Sequence, residues 1–418
     1  MIRMSTFRPL FILLAVAGLL TACDGILDLE PQQSISQDAA LSTPGNVETV
    51  LVGAYEQAGD YDLYGGQFKM LADLMGDGGD VTWTGTFEEP REVWVKNILV
   101  TNVFIEDQWL DSYEVINVTN NVLTALDLFE GDQRDQIEGE ARFLRAAMLF
   151  ELVRVYAPPY NAGDPSSLPG VPIVLEPTRG VTEDDNVARA SVQAVYDQVI
   201  TDLTTARALL PATNPRGFAD YADTYVVSAL LSRVYLMTGN YGAAATEASR
   251  VIESGNYGLT PTFAEAFNSG GGGEYIYQIR MSSQDNADHS LNLFYASDAN
   301  SGRGDIDIND QHINRYEEGD ARADFFYIDG EGIRRSDKWT NQNAQIPVIR
   351  LAEMYLTRAE ANFREETAVG DDPVDDVNAI RERAGLDPID AADLTLEQIL
   401  TERRLELAFE GSLLHDLK

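Results

Sequence analysis

The 418-residue chain is expected to be mainly α-helical, with helical hairpins bracketing long irregular insertions and only a few short strands. Three observations carry this expectation. Apolar residues recur at helical spacing through about 102–156, 191–257 and 347–411. Prolines and glycines cluster between those blocks, where they exclude a helix interior. Strict alternation, the strand signature, is confined to short runs such as EYIYQIR at residues 274–280.

In chain order, Arg3 and Arg8 precede an apolar run over residues 10–20 that is too short to span a bilayer. Leu20-Thr21-Ala22-Cys23 follows and matches each position of the bacterial lipobox, and Cys23 is the only cysteine. An ordinary signal peptide with a chance cysteine is the bland alternative. The match makes residues 1–22 a lipoprotein signal peptide, 23–40 a lipid-anchored tether and 41–418 a single domain. By resemblance to bacterial lipoproteins, Cys23 carries the acyl chains that attach the protein to a membrane.

Thr43-Pro44 opens the first helix, with Val47, Val50, Leu51, Ala54 and Tyr55 as its buried stripe. Residues 59–95 are rich in glycine and aspartate and read as loop rather than core. A long helix is expected over about 102–128, with Trp109, Tyr113, Ile116, Val122 and Leu126 inward. Another covers 133–156, with Ala141, Leu144, Ala147, Met148 and Leu152. Six prolines between 157 and 178 interrupt the pattern. Helical spacing returns over 191–210 and stops at Pro211.

Residues 224–258 form a degenerate tetratricopeptide (TPR) hairpin. Val227, Leu230, Leu231 and Val234 line its first helix, Gly239-Asn240 makes the turn, and Ala244, Ala245, Ala248, Val251 and Ile252 line the second. Leu231, Tyr235 and Ala244 keep the TPR register, whereas Ser228, Ser232, Ala248 and Asn256 replace its Trp, Gly, Phe and Pro. Such a hairpin cannot bury its face alone, so the scaffold must be TPR-like along its length. Residues 259–345 read as a second loop-rich insertion, with Phe294 and Tyr295 facing no obvious core. Helices resume at 347–361, 373–384 and 396–409, the last opening on a Thr395/Gln398 capping box.

With 68 acidic and 30 basic residues the net charge is −38, which repels phosphate backbones and excludes nucleic acid as a partner class. No catalytic motif is present. His289, His312 and His415 are scattered, and neither HExxH, GxSxG nor a phosphate loop occurs. The chain is therefore read as a non-enzyme without catalytic or metal residues. The string Asp305-Ile306-Asp307-Ile308-Asn309-Asp310 alternates oxygen ligands like a calcium loop. However, its sixth residue is Asp310 instead of glycine and its twelfth is Tyr316 instead of an acid, so a solvated acidic loop is preferred. No cofactor is expected, with structural calcium at this string the one exception left open.

The lipobox followed by LDLEP, then WLDSYEVINVTNNVL, GEARFLRAAMLFELVRVY, GVPIV, DQVITDLTTARALLP, VIRLAEMYLTRAEA, VNAIRERAGL and ERRLELAFEG, resembles the SusD/RagB family. Each segment alone is only an amphipathic stretch; their shared order over nearly the whole chain makes the match specific. The resemblance implies a cell-surface outer-membrane lipoprotein that passes an oligosaccharide, or a peptide, to a SusC-like TonB-dependent transporter. It also implies a TPR-like fold with an irregular subdomain supplying the ligand site. Two departures are a short excursion around 260–345 and a sequence that stops at Lys418, where the family pattern runs on.

Sugar rings stack on flat apolar faces, and loop aromatics are the cheapest signal for such faces. Trp83 and Phe87 in the first insertion and Tyr295 in the second are the candidate ligand-binding residues, against the alternative that each packs under its loop. Trp94, Trp109 and Trp339 are assigned to the core. The arginines of GEARFLRAAMLFELVRVY and RERAG are assigned to ion pairs with neighbouring acids. The rival reading is a TPR-type envelope scaffold that binds protein partners, and the long insertions weigh against it. A glycosidase is the third reading and needs two carboxylates at a set separation in one cleft.

Overall fold

A computed structural model describes residues 37–180, 186–217, 219–269, 271–284 and 289–418. The signal peptide, Cys23 and most of the tether lie outside the described residues. Element order is α1 (Pro44–Ala58), α2 (Gln67–Gly76), β1 (Val81–Trp83), α3 (Glu88–Trp94), α4 (Val103–Thr124), α5 (Gly131–Tyr156), α6 (Val192–Leu209), α7 (Thr224–Met237), α8 (Tyr241–Ile252), β2 (Tyr275–Ile279), α9 (Ser290–Tyr295), β3 (Ile306–Ile308), β4 (Phe326–Ile328), β5 (Arg334–Ser336), β6 (Ile346–Arg350), α10 (Leu351–Glu365), α11 (Pro373–Arg383) and α12 (Leu396–Glu406), with single turns between them.

The long helices begin where side chains can satisfy their first amides. Thr43, Asn102, Ser191, Asp223 and Asn240 each accept from a backbone N–H of the first turn. The Thr395/Gln398 capping box forms in both directions. α4, α5, α6, α7 and α8 pack each on the next in a row, α10 continues the row on α8, and α11 and α12 close it on α10. In the TPR-like hairpin Ser228, Ser232, Ala244 and Ala248 are buried, and Ser232 meets the Met354 sulfur of α10 at 3.4 Å. The small side chain of Ser232 thus leaves room for α10 against the hairpin. This helical row holds the larger hydrophobic core, centred on residues such as Phe150, Val199, Leu231 and Met354.

The two insertions differ from the expectation. Residues 59–95 are not loop: they hold α2, β1 and α3, and Phe68, Met70, Leu71 and Leu74 are buried. β1 pairs antiparallel with β3 from the other insertion, Val81 opposite Ile308 and Trp83 opposite Ile306. The two insertions thus fold together around a second core of Met70, Leu74, Trp83, Phe267, Phe294, Tyr295 and Trp339. Residues 346–350, expected to start a helix, form β6 against β2, and Pro347 is tolerated because this sheet has two strands only. The last helix stops at Glu406, three residues short of the expected Phe409, which adopts φ +62°.

The cores are joined by a buried network of charges. Arg350, at the end of β6, donates to Glu274 (2.5 Å), Glu406 (2.9 Å) and both oxygens of Glu410 (2.8 Å). Arg383 bridges Glu274 and Glu406, and Lys338 binds Glu410 at 2.7 Å. The four carboxylates and guanidiniums of Arg350, Glu274, Glu406 and Arg383 are essentially excluded from solvent. Burial raises the Glu410 carboxyl, but Arg350 and Lys338 outweigh it and bring it down to about 2. Removing one member strands the rest, so Arg350→Met should cost about 3–5 kcal/mol in urea unfolding at neutral pH. The depressed Glu410 contributes stability that is present above its unfolded pKa of roughly 4.3 and lost as pH falls towards its folded value. The parent should therefore lose stability between about pH 4 and 2, and the variant, its contribution already gone, should lose less.

Candidate functional site

The second core ends outward in one ring. Phe87 caps α3 and is 38% exposed, while its inner edge meets Phe104 and Phe294 at centroid distances of 6.2 and 6.3 Å. The Arg303 guanidinium lies 4.5 Å from the Phe87 centroid and is steered there by Asp305 (2.8 Å) and the Thr86 hydroxyl (3.1 Å). Thr84 donates to Asp307 at 3.0 Å beside this shelf. An aromatic edge, a planar cation, two threonines and the Asp307 carboxylate thus converge where the β1–β3 pair meets solvent, with Asp305 buried behind Arg303. That set offers apolar contact together with hydroxyl-directed hydrogen bonding.

The other two sequence candidates are elsewhere. Trp83 is 4% exposed, packs on Phe294 at 5.6 Å and spends its indole N–H on the Phe87 carbonyl (3.1 Å). Tyr295 is completely buried and donates its hydroxyl to Asp73 at 2.9 Å. Trp83 supports the shelf from beneath, Tyr295 packs on Phe409 instead, and neither ring offers a face to solvent, which corrects their placement on ligand-facing loops. Phe294 is likewise internal. Trp339 is core as expected, whereas Trp94 and Trp109 are only half-buried.

The sequence reading missed Arg303 and the segment after α3. Residues 95–103 present Val95, Ile98, Leu99, Val100 and Val103 to solvent, Val100 fully. The segment is pinned nonetheless. Glu92 accepts from the Leu99 amide and the Asn102 side chain, and Lys96 donates to the Asp77 carbonyl. An apolar run beside the Asn102 cap, with no helical partner, was the available signal. A fixed apolar strip of this kind marks an interaction surface.

The calcium-like string has become strand β3 and its flanks. Asp305 pairs with Arg303, Asp307 with Arg335 and Asp310 with Arg334. No group of three metal-ligating side chains occurs among the described residues. The arginines assigned to ion pairs with neighbouring acids all form ion pairs, but only Arg142 with Glu138 and Arg154 with Glu151 pair along their own helix; Arg145 pairs with Asp202, Arg381 with Glu402, and Arg383 with Glu274 and Glu406.

Residues 26–236 match the SusD-like family model described as "Starch-binding associating with outer membrane", and residues 327–418 match the model described as "SusD family". The chain belongs to the SusD/RagB family. Among curated SusD-like relatives, SusD-like protein P2 of Formosa agariphila is 25% identical, with 96% of this chain and 88% of that protein aligned. A crystal structure titled as a putative sugar binding protein from Bacteroides vulgatus is 26% identical with a TM-score of 0.78, covering 90% of this chain and 86% of that one. The surface glycan-binding protein A of Bacteroides uniformis shares the SusD fold at 20% identity, with a TM-score of 0.72 over 88% of this chain and 86% of that one.

Inner and outer rings should separate on mutation. Trp83→Ala is expected to lower the unfolding free energy by about 3–5 kcal/mol. Phe87→Ala, already partly solvated, should cost only about 1 kcal/mol. Chemical denaturation of the two variants reads this directly, and a costlier Phe87→Ala would reverse the assignment.

Proposed function

We propose that this protein is a non-catalytic glycan-binding lipoprotein at the outer cell surface that delivers its ligand to a SusC-like TonB-dependent transporter. The observation that carries this reading is the Phe87–Arg303 shelf, a half-exposed ring framed by hydroxyl and carboxylate groups on the subdomain that the family uses for ligands. The putative sugar binding protein and the SusD-like carbohydrate binding protein of Bacteroides vulgatus, each 26% identical, support the same ligand class. Attachment is assigned to Cys23, where each acyl CH₂ contributes ~0.8 kcal/mol of membrane affinity. No helix among the described residues is long and apolar enough to cross a membrane. The pinned apolar strip from Val95 to Val103 is assigned to the transporter or ligand face, and it also supports the scaffold alternative, in which proteins are the only partners.

Calorimetry against a panel of oligosaccharides and peptides tests the reading. One glycan class should bind, and Phe87→Ala, folded by circular dichroism, should weaken it at least tenfold. Binding confined to peptides would move the ligand class, and no binding at all would favour the scaffold. In pull-downs from outer membranes a single β-barrel transporter is the expected partner; several assembly factors in its place would sink the transporter assignment.

A further inference from the structure

A separate cavity of about 200 Å³ lies among α2, the α7–α8 turn, α10 and the chain following α12, and shares no residue with the Phe87 shelf. Its charge is opposite to that of the whole. Seven Lys or Arg residues line it against four Asp or Glu, in a chain of net charge −38. Most of these cations are already engaged: Arg233 with Glu353 (2.6 Å), Arg403 with Asp416 (2.8 Å) and Arg154 with Glu151 (2.6 Å).

Lys69 is the exception. It is only 9% exposed and lines the cavity, and its ammonium has no ion pair or hydrogen-bond acceptor among the described residues. Desolvation brings it down to about 8, with Glu410 and Glu353 offsetting part of that. The residue cannot easily move aside, because Gly411 (φ +77°) presses its backbone there: a Cβ at Gly411 would stand 2.5 Å from the Lys69 Cα. His415, in the same lining, is kept neutral by burial and by the cations Arg154, Lys418, Arg233 and Arg403. A buried ammonium without a hydrogen-bond acceptor is costly, and a bound anion removes that cost.

We propose that this cavity is a carboxylate-binding subsite in which Lys69 donates to the carboxylate of a small ligand. A volume below the usual 300–1,000 Å³ of ligand pockets limits the occupant to about one sugar or amino-acid residue. The carboxylate can come from a sugar acid or from an acidic amino acid.

The test is calorimetry on the full-length chain in detergent micelles, with D-glucuronate, N-acetyl-L-glutamate and neutral D-glucose, repeated on Lys69→Met. At least one carboxylate should bind at least tenfold more tightly than glucose, and Lys69→Met should lose at least tenfold of that affinity. The variant should melt no lower than the parent, because it removes an uncompensated buried charge. Glucuronate binding alone assigns a sugar acid; glutamate binding alone assigns an acidic amino acid. No carboxylate binding, equal binding of glucose, or binding unchanged in Lys69→Met overturns the proposal. Should the variant fail to fold, acetylation of Lys69 in the parent, read by peptide mass spectrometry, decides: protection by a carboxylate but not by glucose supports the subsite, and no protection overturns it. Neutral-glycan binding that depends on Phe87 and not on Lys69 belongs to the shelf, so the two sites fail separately.

Discussion

The architecture depends on a guanidinium that has left water. Arg350 sits between the helical row and the second core with its carboxylate partners drawn from the residue before β2, the end of α12 and the turn beyond it. A charge in that position is tolerable only when every partner arrives, and the partners belong to elements far apart in sequence. The network therefore favours one arrangement of insertion on scaffold over near-alternatives that a purely apolar contact would accept. Lys338 completes it from the insertion side, its ammonium lying over Phe263 and Phe267 as well as on Glu410.

That fixed junction explains how the two insertions can hold the proposed binding face steady. The first insertion contributes α2 and β1 to the second core, and the other contributes β3, α9 and Trp339. Joined by the β1–β3 pair, they bury Trp83, Phe294 and Tyr295 and leave Phe87 at the surface with Arg303 beside it. The exposed ring is held by aromatic contacts and by backbone anchors, so little ordering remains to be done when a ligand arrives.

The helical scaffold was legible because its information is local. Stripes at helical spacing, Thr43-Pro44, Ser191 and the Thr395/Gln398 box mark helix faces and ends within a few residues of each other. The site was legible only in part. Trp83 and Tyr295 were singled out for the company they keep in sequence, but what buries them comes from more than two hundred residues away: Asp73 for Tyr295, and Phe294 for Trp83. The strand at 346–350 carries a proline at its second position, which also suits a helix start, and only its pairing with β2 decides between the two. Charge was misleading in the same way. Arg142 and Arg154 pair one turn along their own helix, whereas Arg350 and Arg383 find acids that no spacing rule reaches.

The contact between α8 and α10 spans roughly a hundred residues of chain, a closure whose entropic cost grows only slowly with length but which must be met before the contact is rewarded. The last third of the helical row thus has no docking surface in place until the inserted segment has drawn its own ends together. Assembly of the scaffold then becomes a proofreading step for the face it carries. A molecule whose insertion has collapsed wrongly is left with α10, α11 and α12 unseated and open to proteolysis.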